Sequence, residues 1–171
     1  MTCTYSVFSK DTKERRMIRI NIPGFGLLEI KNLVTDLNGT ITDSGRLIPG
    51  ALSHMKALKE SGIDIYVVSG DTRGVLGNIL AQDSGIKTVL TTSAEGKRAF
   101  VEEIGPGQTV CIGNGNIDVE MFKVARLSIC TIQAEGAATR AMLNADIVVP
   151  HITDALKMLL DHECLVATLR Y

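Results

Sequence analysis

The feature that most constrains the fold is an alternation, from residue 63 onwards, between short continuous apolar runs and helix-like segments. Strands that are apolar along their whole length are typical of parallel sheets covered by helices on both faces. Because crossover connections are right-handed, this pattern predicts a Rossmann-like, doubly wound and mainly parallel α/β sheet. The predicted strands are 63–68, 87–91, 109–112, 127–132 and 146–149, and the predicted helices are 72–82, 94–104, 116–125 and 136–144, with a last helix from about Thr153.

The N-terminal part of the chain predicts a different arrangement. Residues 17–22 and 27–31 are apolar-rich and flank a Pro- and Gly-containing turn, a combination that predicts a β-hairpin. A short strand at 32–37 and a polar, glycine-containing flap at 38–48 follow. Pro49 is then expected to begin a helix of about twelve residues, since proline is favoured at the first helical position.

Composition limits the kinds of partner that the protein can have. The chain of 171 residues is 45% hydrophobic and carries 18 Lys and Arg against 19 Asp and Glu, with a net charge of −1. This composition excludes a disordered chain, and the absence of a basic stripe argues against nucleic acid as a partner. No apolar run approaches the roughly 20 residues that span a bilayer, so no membrane association is predicted. We expect a loose N-terminal tail, residues 1–16, and a single domain, residues 17–171.

The cysteines indicate the compartment. Cys3, Cys111, Cys130 and Cys164 form no Cys-x-x-Cys pair, and two of them lie inside apolar, strand-like runs. A thiol in such a run usually acts as a small hydrophobic side chain. The absence of cysteine pairs and of a signal-peptide pattern at the N-terminus together predict a cytoplasmic protein in a reducing environment.

Two polar clusters follow the predicted strands at 32–37 and 63–68. Asp36 lies at the end of the first strand and is followed by a tight glycine turn, where a carboxylate can attack an electrophile or hold a cation. Ser69 and Gly70 separate the second strand from a helix. A hydroxyl and free N–H groups at that position suit a phosphate oxygen, although capping of the helix is the alternative explanation.

Two further features involve a lysine and a glycine-rich turn. Lys97 lies near the start of helix 94–104, where a cation opposes the helix dipole and therefore predicts an anion nearby. A solvated surface lysine is the alternative, and Arg98 is the other candidate for the cation. The segment 113–118, Gly-Asn-Gly-Asn-Ile-Asp, has Asp118 in place of the third glycine of a dinucleotide-binding fingerprint, so we reject that function.

Together these segments resemble the four motifs of the haloacid dehalogenase-like (HAD) superfamily. The run Asp-Leu-Asn-Gly-Thr at 36–40 resembles motif I, usually Asp-x-Asp-Gly-Thr, and also the phosphorylation site of P-type ATPases. Ser69 resembles motif II, Lys97 resembles motif III, and 113–118 resembles motif IV. The motifs occur in the family's order and cover residues 36–118, so the chain is identified as a member of this superfamily.

The resemblance implies a role for each of these residues. Asp36 would be the nucleophile that forms an aspartyl-phosphate, and Asn38 would occupy the position of the general acid and base. The implied catalytic set is Asp36, Asn38, Ser69 and Lys97; the implied phosphate-binding set is Gly39, Thr40, Ser69, Gly70 and Lys97; and the implied Mg²⁺ ligands are Asp36, the Asn38 carbonyl, Asn114 and Asp118.

The spacing of the motifs predicts a capless protein. Caps in this superfamily are inserted between motifs I and II or between II and III, and the segments 37–68 and 70–96 are filled by the elements predicted above. A P-type ATPase would carry a nucleotide-binding domain in the first segment and membrane helices elsewhere, so an ion pump is excluded. The chain resembles an isolated, soluble phosphorylation domain. Capless members often oligomerise, so the resemblance also implies a homo-oligomer.

Two residues depart from the family pattern. Asn38 and Asn114 stand where the family usually has aspartate, and an amide can neither exchange a proton nor hold Mg²⁺ as strongly as a carboxylate. Positioning and charge neutralisation nevertheless supply most of the catalysis of phosphoryl transfer. We therefore predict a slow, Mg²⁺-dependent phosphohydrolase for a phosphorylated substrate whose identity the sequence does not show. The alternative is a catalytically weakened phosphate-binding or regulatory module.

Overall fold

The computed structural model describes residues 17–70, 77, 80, 85–133 and 135–171. The predicted tail at 1–16 lies outside the described residues. Most of the predicted helix at 72–82 does so too, and its two described residues, Gly77 and Leu80, are helical. Within the described part of the chain, no helix has the length and apolarity needed to cross a membrane.

A six-stranded sheet, parallel at every pairing, forms the centre of the molecule and confirms the predicted α/β architecture. The described strands are β1 (Ile18–Ile22), β2 (Gly26–Ile30), β3 (Asn32–Asp36), β4 (Thr42–Asp43), β5 (Arg46–Leu47), β6 (Asp64–Ser69), β7 (Lys87–Leu90), β8 (Thr109–Gly113), β9 (Leu127–Thr131) and β10 (Ile147–Val149). The order in the sheet is β10-β9-β8-β3-β6-β7, so β3 lies between β6 and β8. The chain continues outward from β3 in both directions, and the crevice where that direction reverses is the usual ligand site of such sheets.

Helices cover both faces of the sheet. The described α-helices are α1 (Ala51–Glu60), α2 (Ala94–Ile104), α3 (Val119–Val124), α4 (Thr139–Asn144), α5 (Ile152–Leu160) and α6 (His162–Leu169). Successive strand residues enter opposite apolar clusters: Leu33 of β3 joins the larger cluster with α1, α5, α6 and the β1–β2 hairpin. Val34 joins the smaller cluster with α2, α3 and α4. Burial on both faces explains why the strands are apolar along their whole length.

The predicted β-hairpin is present as the antiparallel pair β1–β2, and the predicted flap contains the short antiparallel pair β4–β5. Between Asp36 and Ser69 the chain forms this flap, α1 and β6, all of them described. The segment therefore contains no cap domain. Two buried thiols, Cys111 and Cys130, pack in the smaller apolar cluster. Burial raises the pKa of both, that of Cys130 to about 11, so neither is a thiolate near neutral pH.

Several helix ends differ from the prediction for local reasons. The helix predicted from Pro49 begins at Ala51, after Gly50 adopts the left-handed region at φ 86°. The helix predicted over 136–144 begins only at Thr139, because Gly136 is left-handed at φ 75° and Ala138 is extended; the Ala138 amide donates to the Asn114 carbonyl at 2.8 Å. The segment predicted as a helix over 116–125 begins with a 3₁₀ turn, Asn116–Asp118, followed by α3. The last two of these differences shape the site described below.

Candidate active site

The strand register brings three of the predicted motifs together at the carboxyl edge of the sheet. Asp36, the last residue of β3, pairs with Val68, so Ser69 is the next residue along the neighbouring strand. On the other side, Thr35 pairs with Ile112, which places Gly113 level with Asp36. Adjacent strands lie roughly 4.8 Å apart, so these strand ends form one compact crevice.

Lys97 connects the motifs. Its side chain extends from α2 into the crevice, where Nζ donates to Asp36 Oδ1 and to Asp118 Oδ1, each at 2.6 Å. Lys97 and Asp118 are completely buried and Asp36 is 7% exposed. The two carboxylates supply the anions that the position of a lysine near a helix N-terminus predicts. A buried ammonium group that is hydrogen-bonded to two carboxylates fixes the positions of all three side chains.

Arg98 was the other candidate for this cation. It lies on the surface of α2, where its guanidinium is paired with Glu102 at 2.9 Å and with Glu120 at 3.6 Å. Its side chain is 45% exposed. The structure therefore brings Lys97, and not Arg98, to Asp36.

Asp118 is fixed by the glycine-rich turn that carries it. Its Oδ2 accepts hydrogen bonds from the backbone amides of Asn114, at 3.0 Å, and Gly115, at 2.8 Å. A Cβ atom at Gly113 would lie 2.5 Å from the carboxyl carbon of Asp118, so a side chain at that position would displace the carboxylate. The turn thus presents Oδ1 of Asp118 to Lys97 and uses Oδ2 for its own stability.

Asn114 makes two side-chain hydrogen bonds within the protein. Its Oδ1 accepts from the Thr40 hydroxyl at 3.1 Å, and its Nδ2 donates to the Gly136 carbonyl at 2.9 Å. A carboxylate at this position could not donate to Gly136. The amide therefore connects the turn after β3 to the segment that precedes α4.

In the crevice, burial and the contact between Asp36 and Lys97 have opposite effects on the pKa of each of these two residues. Burial raises the pKa of Asp36 to about 6, and the neighbouring Asp118 adds to this effect, while Lys97 and the Leu37 backbone lower it. Burial lowers the pKa of Lys97, but the two carboxylates more than offset this, and its pKa lies above the usual value. Above about pH 6 the crevice therefore holds a charged lysine and an ionised Asp36.

The turn after β3 is organised around the Leu37 carbonyl. This oxygen accepts from the amides of Thr40, Ile41 and Thr42 at 3.4, 3.1 and 3.0 Å, and from the Thr42 hydroxyl at 3.0 Å. In a trans peptide the N–H points opposite to the C=O, so the Asn38 amide hydrogen points out of the turn. Asn38 is exposed, and its side chain is free of the packing that buries Thr40.

Gly39 allows this turn to form. Its φ of 73° is a left-handed conformation that side chains disfavour, and a Cβ atom there would lie 2.6 Å from Asn114 Nδ2. Ser69 is 9% exposed at the end of β6, and Gly70 follows as an exposed residue. The predicted phosphate-binding residues thus come from the turn after β3, the end of β6 and the helix α2, and their role in binding phosphate stays a prediction.

The oxygen-rich donor set of the crevice suits a hard divalent cation. No group of three or more His, Cys, Asp or Glu side chains suited to a metal occurs among the described residues. The Oδ1 atoms of Asp36 and Asp118 contact the same Lys97 nitrogen at 2.6 Å, so both carboxylates reach the same part of the crevice. Mg²⁺ commonly uses one or two carboxylates and keeps several waters, and this pair fits that requirement.

Two residues near the crevice were not identified from the sequence. Gln133 Nε2 donates to the Gly39 carbonyl at 2.8 Å and also to the Thr40 carbonyl. Glu135 Oε1 accepts from the Ser44 amide of the flap at 2.9 Å. Gln133 is the first polar residue after the predicted strand at 127–132, and this position at a strand end was the available signal.

Residues 21–126 match the sequence model of the haloacid dehalogenase-like hydrolases. Two curated proteins of Methanocaldococcus jannaschii are similar to parts of the chain. An uncharacterized protein is 49% identical over 61 residues, which are 36% of this chain and 66% of that protein. A soluble P-type ATPase-like phosphatase is 26% identical over 137 residues, 77% of this chain, and the match spans only 50% of that phosphatase.

Among solved structures, the chain resembles 3-deoxy-D-manno-octulosonate 8-phosphate phosphatase from Moraxella catarrhalis, solved with a magnesium ion, a phosphate ion and KDO. The TM-score is 0.65 over 82% of this chain and 94% of that one, with 15% sequence identity. A likeness at this level of identity shows the fold.

Proposed function

Because this chain belongs to the haloacid dehalogenase-like hydrolase family, we propose that it is a slow, Mg²⁺-dependent phosphohydrolase that works through an aspartyl-phosphate on Asp36. The observation that carries this proposal is the buried Lys97, whose ammonium group contacts both Asp36 and Asp118 at 2.6 Å. The M. jannaschii phosphatase and the structural relative solved with magnesium and phosphate support it.

The proposed reaction has two displacements at phosphorus. In the first, a carboxylate oxygen of Asp36 forms a bond to phosphorus while the bond to the leaving oxygen breaks, and the leaving oxygen takes its proton from solvent. In the second, water attacks the phosphorus, the bond to Asp36 breaks, and inorganic phosphate leaves. Lys97 stays protonated throughout, holds Asp36 in place and neutralises charge on the transferred group.

Three features of the chain would orient the phosphoryl group. The Asn38 amide points out of the turn after β3, where it can donate to a phosphoryl oxygen, and the Ser69 hydroxyl lies on the adjacent strand end. Asp36 and Asp118 would hold the Mg²⁺, with the Asn38 carbonyl, Asn114 and waters as the remaining ligands. When bound, Mg²⁺ would neutralise part of the charge of the phosphoryl oxygens.

Hydrolysis of p-nitrophenyl phosphate tests this function directly. We expect phosphate release that needs Mg²⁺, stops with EDTA and is absent from the Asp36→Asn variant prepared in parallel. The nitrophenolate leaves without prior protonation, so the missing acid at Asn38 should matter least for this substrate. Phosphate release by the wild type that does not exceed the release by Asp36→Asn would contradict the proposal.

Turnover is expected to rise when the missing carboxylate is restored. Asn38→Asp should increase kcat by up to about 10²-fold, within the range typical of general acid–base catalysis, with a larger gain for phenyl phosphate than for p-nitrophenyl phosphate. Steady-state kinetics with both substrates would measure this difference. Asn21→Asp, on the exposed face of β1, makes the same change of charge far from the crevice and should leave kcat unchanged. Equal rates for Asn38→Asp and the wild type would show that Asn38 does not limit turnover.

A phosphate-binding or regulatory module is the second candidate function. It is favoured by the exposed amide at Asn38 and by the use of Asn114 Oδ1 as an acceptor for Thr40. Incubation with acetyl phosphate and Mg²⁺, followed by intact-mass measurement, separates the two candidates. A stable phosphorylated protein without phosphate release would favour the regulatory module, and release without accumulation would favour the phosphohydrolase.

A further inference from the structure

The side chain of Gln133 is hydrogen-bonded at both ends. It lies in the loop after β9, where Nε2 donates to the Gly39 carbonyl at 2.8 Å and to the Thr40 carbonyl. At the other end, Oε1 accepts from the Ile152 amide, at the start of α5, at 2.9 Å. The backbone amide of Gln133 also donates to the Pro150 carbonyl at 2.8 Å. One residue thus connects the turn after β3 to the loop before α5.

The turn needs a donor from outside to complete its hydrogen bonding. Its amides from Thr40 to Thr42 all donate inward to the Leu37 carbonyl. The carbonyls of Gly39 and Thr40 face the other way, and Gln133 reaches both of them. Fixing these two carbonyls fixes two peptide planes next to Asn38, whose amide points out of the turn and is the proposed donor to the phosphoryl group.

Only a long primary amide fits this set of contacts. Two carbonyl acceptors require two N–H donors on one atom, and the Ile152 amide requires an acceptor on the other. Asparagine has the same groups but is shorter by one methylene, and ionised glutamate accepts hydrogen bonds without donating any. The three partners also define which end of the Gln133 amide is the nitrogen.

We propose that Gln133 is a positioning residue for catalysis: by holding the Gly39 and Thr40 carbonyls it keeps the Asn38–Thr40 turn in the geometry that binds the phosphoryl group. This inference rests on the proposed function. Gln133 does not touch the reacting atoms, and its effect is transmitted through the turn. Misplacement of the turn raises the barrier for the chemical step, because phosphoryl transfer depends mainly on positioning.

Gln133→Glu tests the proposal because the two side chains have the same shape. At pH 8 the ionised carboxylate faces two carbonyl oxygens, and we expect kcat to fall by about 10-fold to 100-fold with little change in KM. At pH 5 a protonated carboxyl regains one donor, so the ratio of variant to wild-type kcat should recover by about threefold or more. Gln133→Met, which has a similar length but no donor, should lose kcat by the same factor at both pH values.

Other ionisable groups near Gln133 make comparison with the wild type at each pH necessary. Asp43, Arg46 and His151 line a groove of about 410 Å³ together with Gln133, and Glu135 follows two residues later. Each variant is therefore compared with the wild type at the same pH, and only the ratio of the two kcat values is interpreted. Gln108→Glu, the same substitution on the loop before β8 at the opposite edge of the sheet, is the matched control and should keep wild-type kcat at both pH values.

The amide hydrogen exchange of the turn provides a readout that does not depend on activity. In Gln133→Glu at pH 8, exchange at Ile41 and Thr42 should be about tenfold faster than in the wild type, while exchange at Ile152, whose amide keeps an acceptor, and in β8 stays unchanged. Unchanged exchange at Ile41 and Thr42, or wild-type kcat in Gln133→Glu at pH 8, would overturn the proposal. A wild-type protein without phosphatase activity would overturn the proposed function, and the exchange experiment would still decide whether Gln133 holds the turn.

Discussion

Asp36→Asn is expected to abolish phosphohydrolase activity and, in the absence of metal, to make the fold more stable. Asparagine has the shape of aspartate but lacks the carboxylate that attacks phosphorus, so kcat should fall by roughly 10³-fold or more. The gain in stability follows from the cost of burying the Asp36 charge. Burial raises the pKa of this group from 3.8 to about 6 despite its contact with Lys97.

The size of the stability gain in Asp36→Asn depends on pH. Because the pKa of Asp36 in the folded state is higher than in the unfolded state, the folded state binds more protons between about pH 4 and pH 6. The free energy of unfolding of the wild type therefore falls through this window and the loss is complete above it. The Asp36→Asn variant has no such titration, so its advantage should be absent near pH 4 and reach about 1–3 kcal/mol at pH 8.

Urea unfolding in EDTA at pH 4.5 and pH 8 measures this difference. Asp64→Asn is a suitable control because Asp64 is only half-buried and pairs with the exposed Lys87 at 3.3 Å, far from the crevice. Surface pairs of this kind contribute little, so this variant should show no gain at pH 8. Lower stability of Asp36→Asn at both pH values would mean that the contact between Asp36 and Lys97 stabilises the fold, contrary to our interpretation.

Lys97→Met is expected to destabilise the protein and to abolish activity together. Without the ammonium group, Asp36 and Asp118 remain as two buried carboxylates that face each other. Breaking a buried ion pair by removing one partner typically costs about 3–5 kcal/mol. Loss of the charge that neutralises the phosphoryl group should lower kcat by roughly 10³-fold.

Arg98→Met is the matched control for this prediction. The two residues are adjacent cations on the same helix, but the Arg98 side chain is 45% exposed and its ion pairs lie on the surface. We expect the stability of Arg98→Met to stay within about 0.5 kcal/mol of the wild type, with full activity. Thermal unfolding and p-nitrophenyl phosphate assays of both variants would make the comparison. A stable and active Lys97→Met would refute the role given to this residue.

If Lys97→Met does not fold at pH 8, acidic conditions and Mg²⁺ keep the prediction testable. Protonation of Asp36 as pH falls through about 6 removes its repulsion of Asp118, so the stability deficit should shrink as pH falls. Added Mg²⁺ should recover part of the loss at pH 8 because it replaces the missing positive charge between Asp36 and Asp118. Lys97→Arg, which keeps the charge, should be the more stable of the two variants.

Much of the fold could be predicted because its signals are local. The helix at Ala94–Ile104 was predicted with both ends correct, since Ser93 caps its start and Gly105 ends it. The helix predicted over 136–144 was wrong at its start: Gly136 is left-handed, Ala138 is extended, and the Ala138 amide donates to the Asn114 carbonyl, which is far away in the sequence. Caps and periodicity act within a few residues, so they are visible in the sequence, whereas hydrogen bonds between distant segments are not.

The same distinction applies to the candidate site. Asp36, Ser69 and the glycine turn before Asp118 could be named from residue type and position at strand ends. The family resemblance favoured Lys97 over Arg98, but residue type and position alone do not separate them, because adjacent helix residues point in different directions and packing decides which one enters the crevice. The hydrogen bond between Thr40 and Asn114 could not be predicted from the sequence either.

The sequence by itself determined the order of strands and helices, the family resemblance and the loss of two carboxylates at Asn38 and Asn114. Only the tertiary structure showed that Lys97 joins two carboxylates in a buried crevice, that the pKa of Asp36 is raised, and that Gln133 holds the turn. Gln133 and Gly39 are separated by 94 positions. Chemical type is a property of each residue, but burial, charge proximity and hydrogen-bond partners arise only when distant segments pack together.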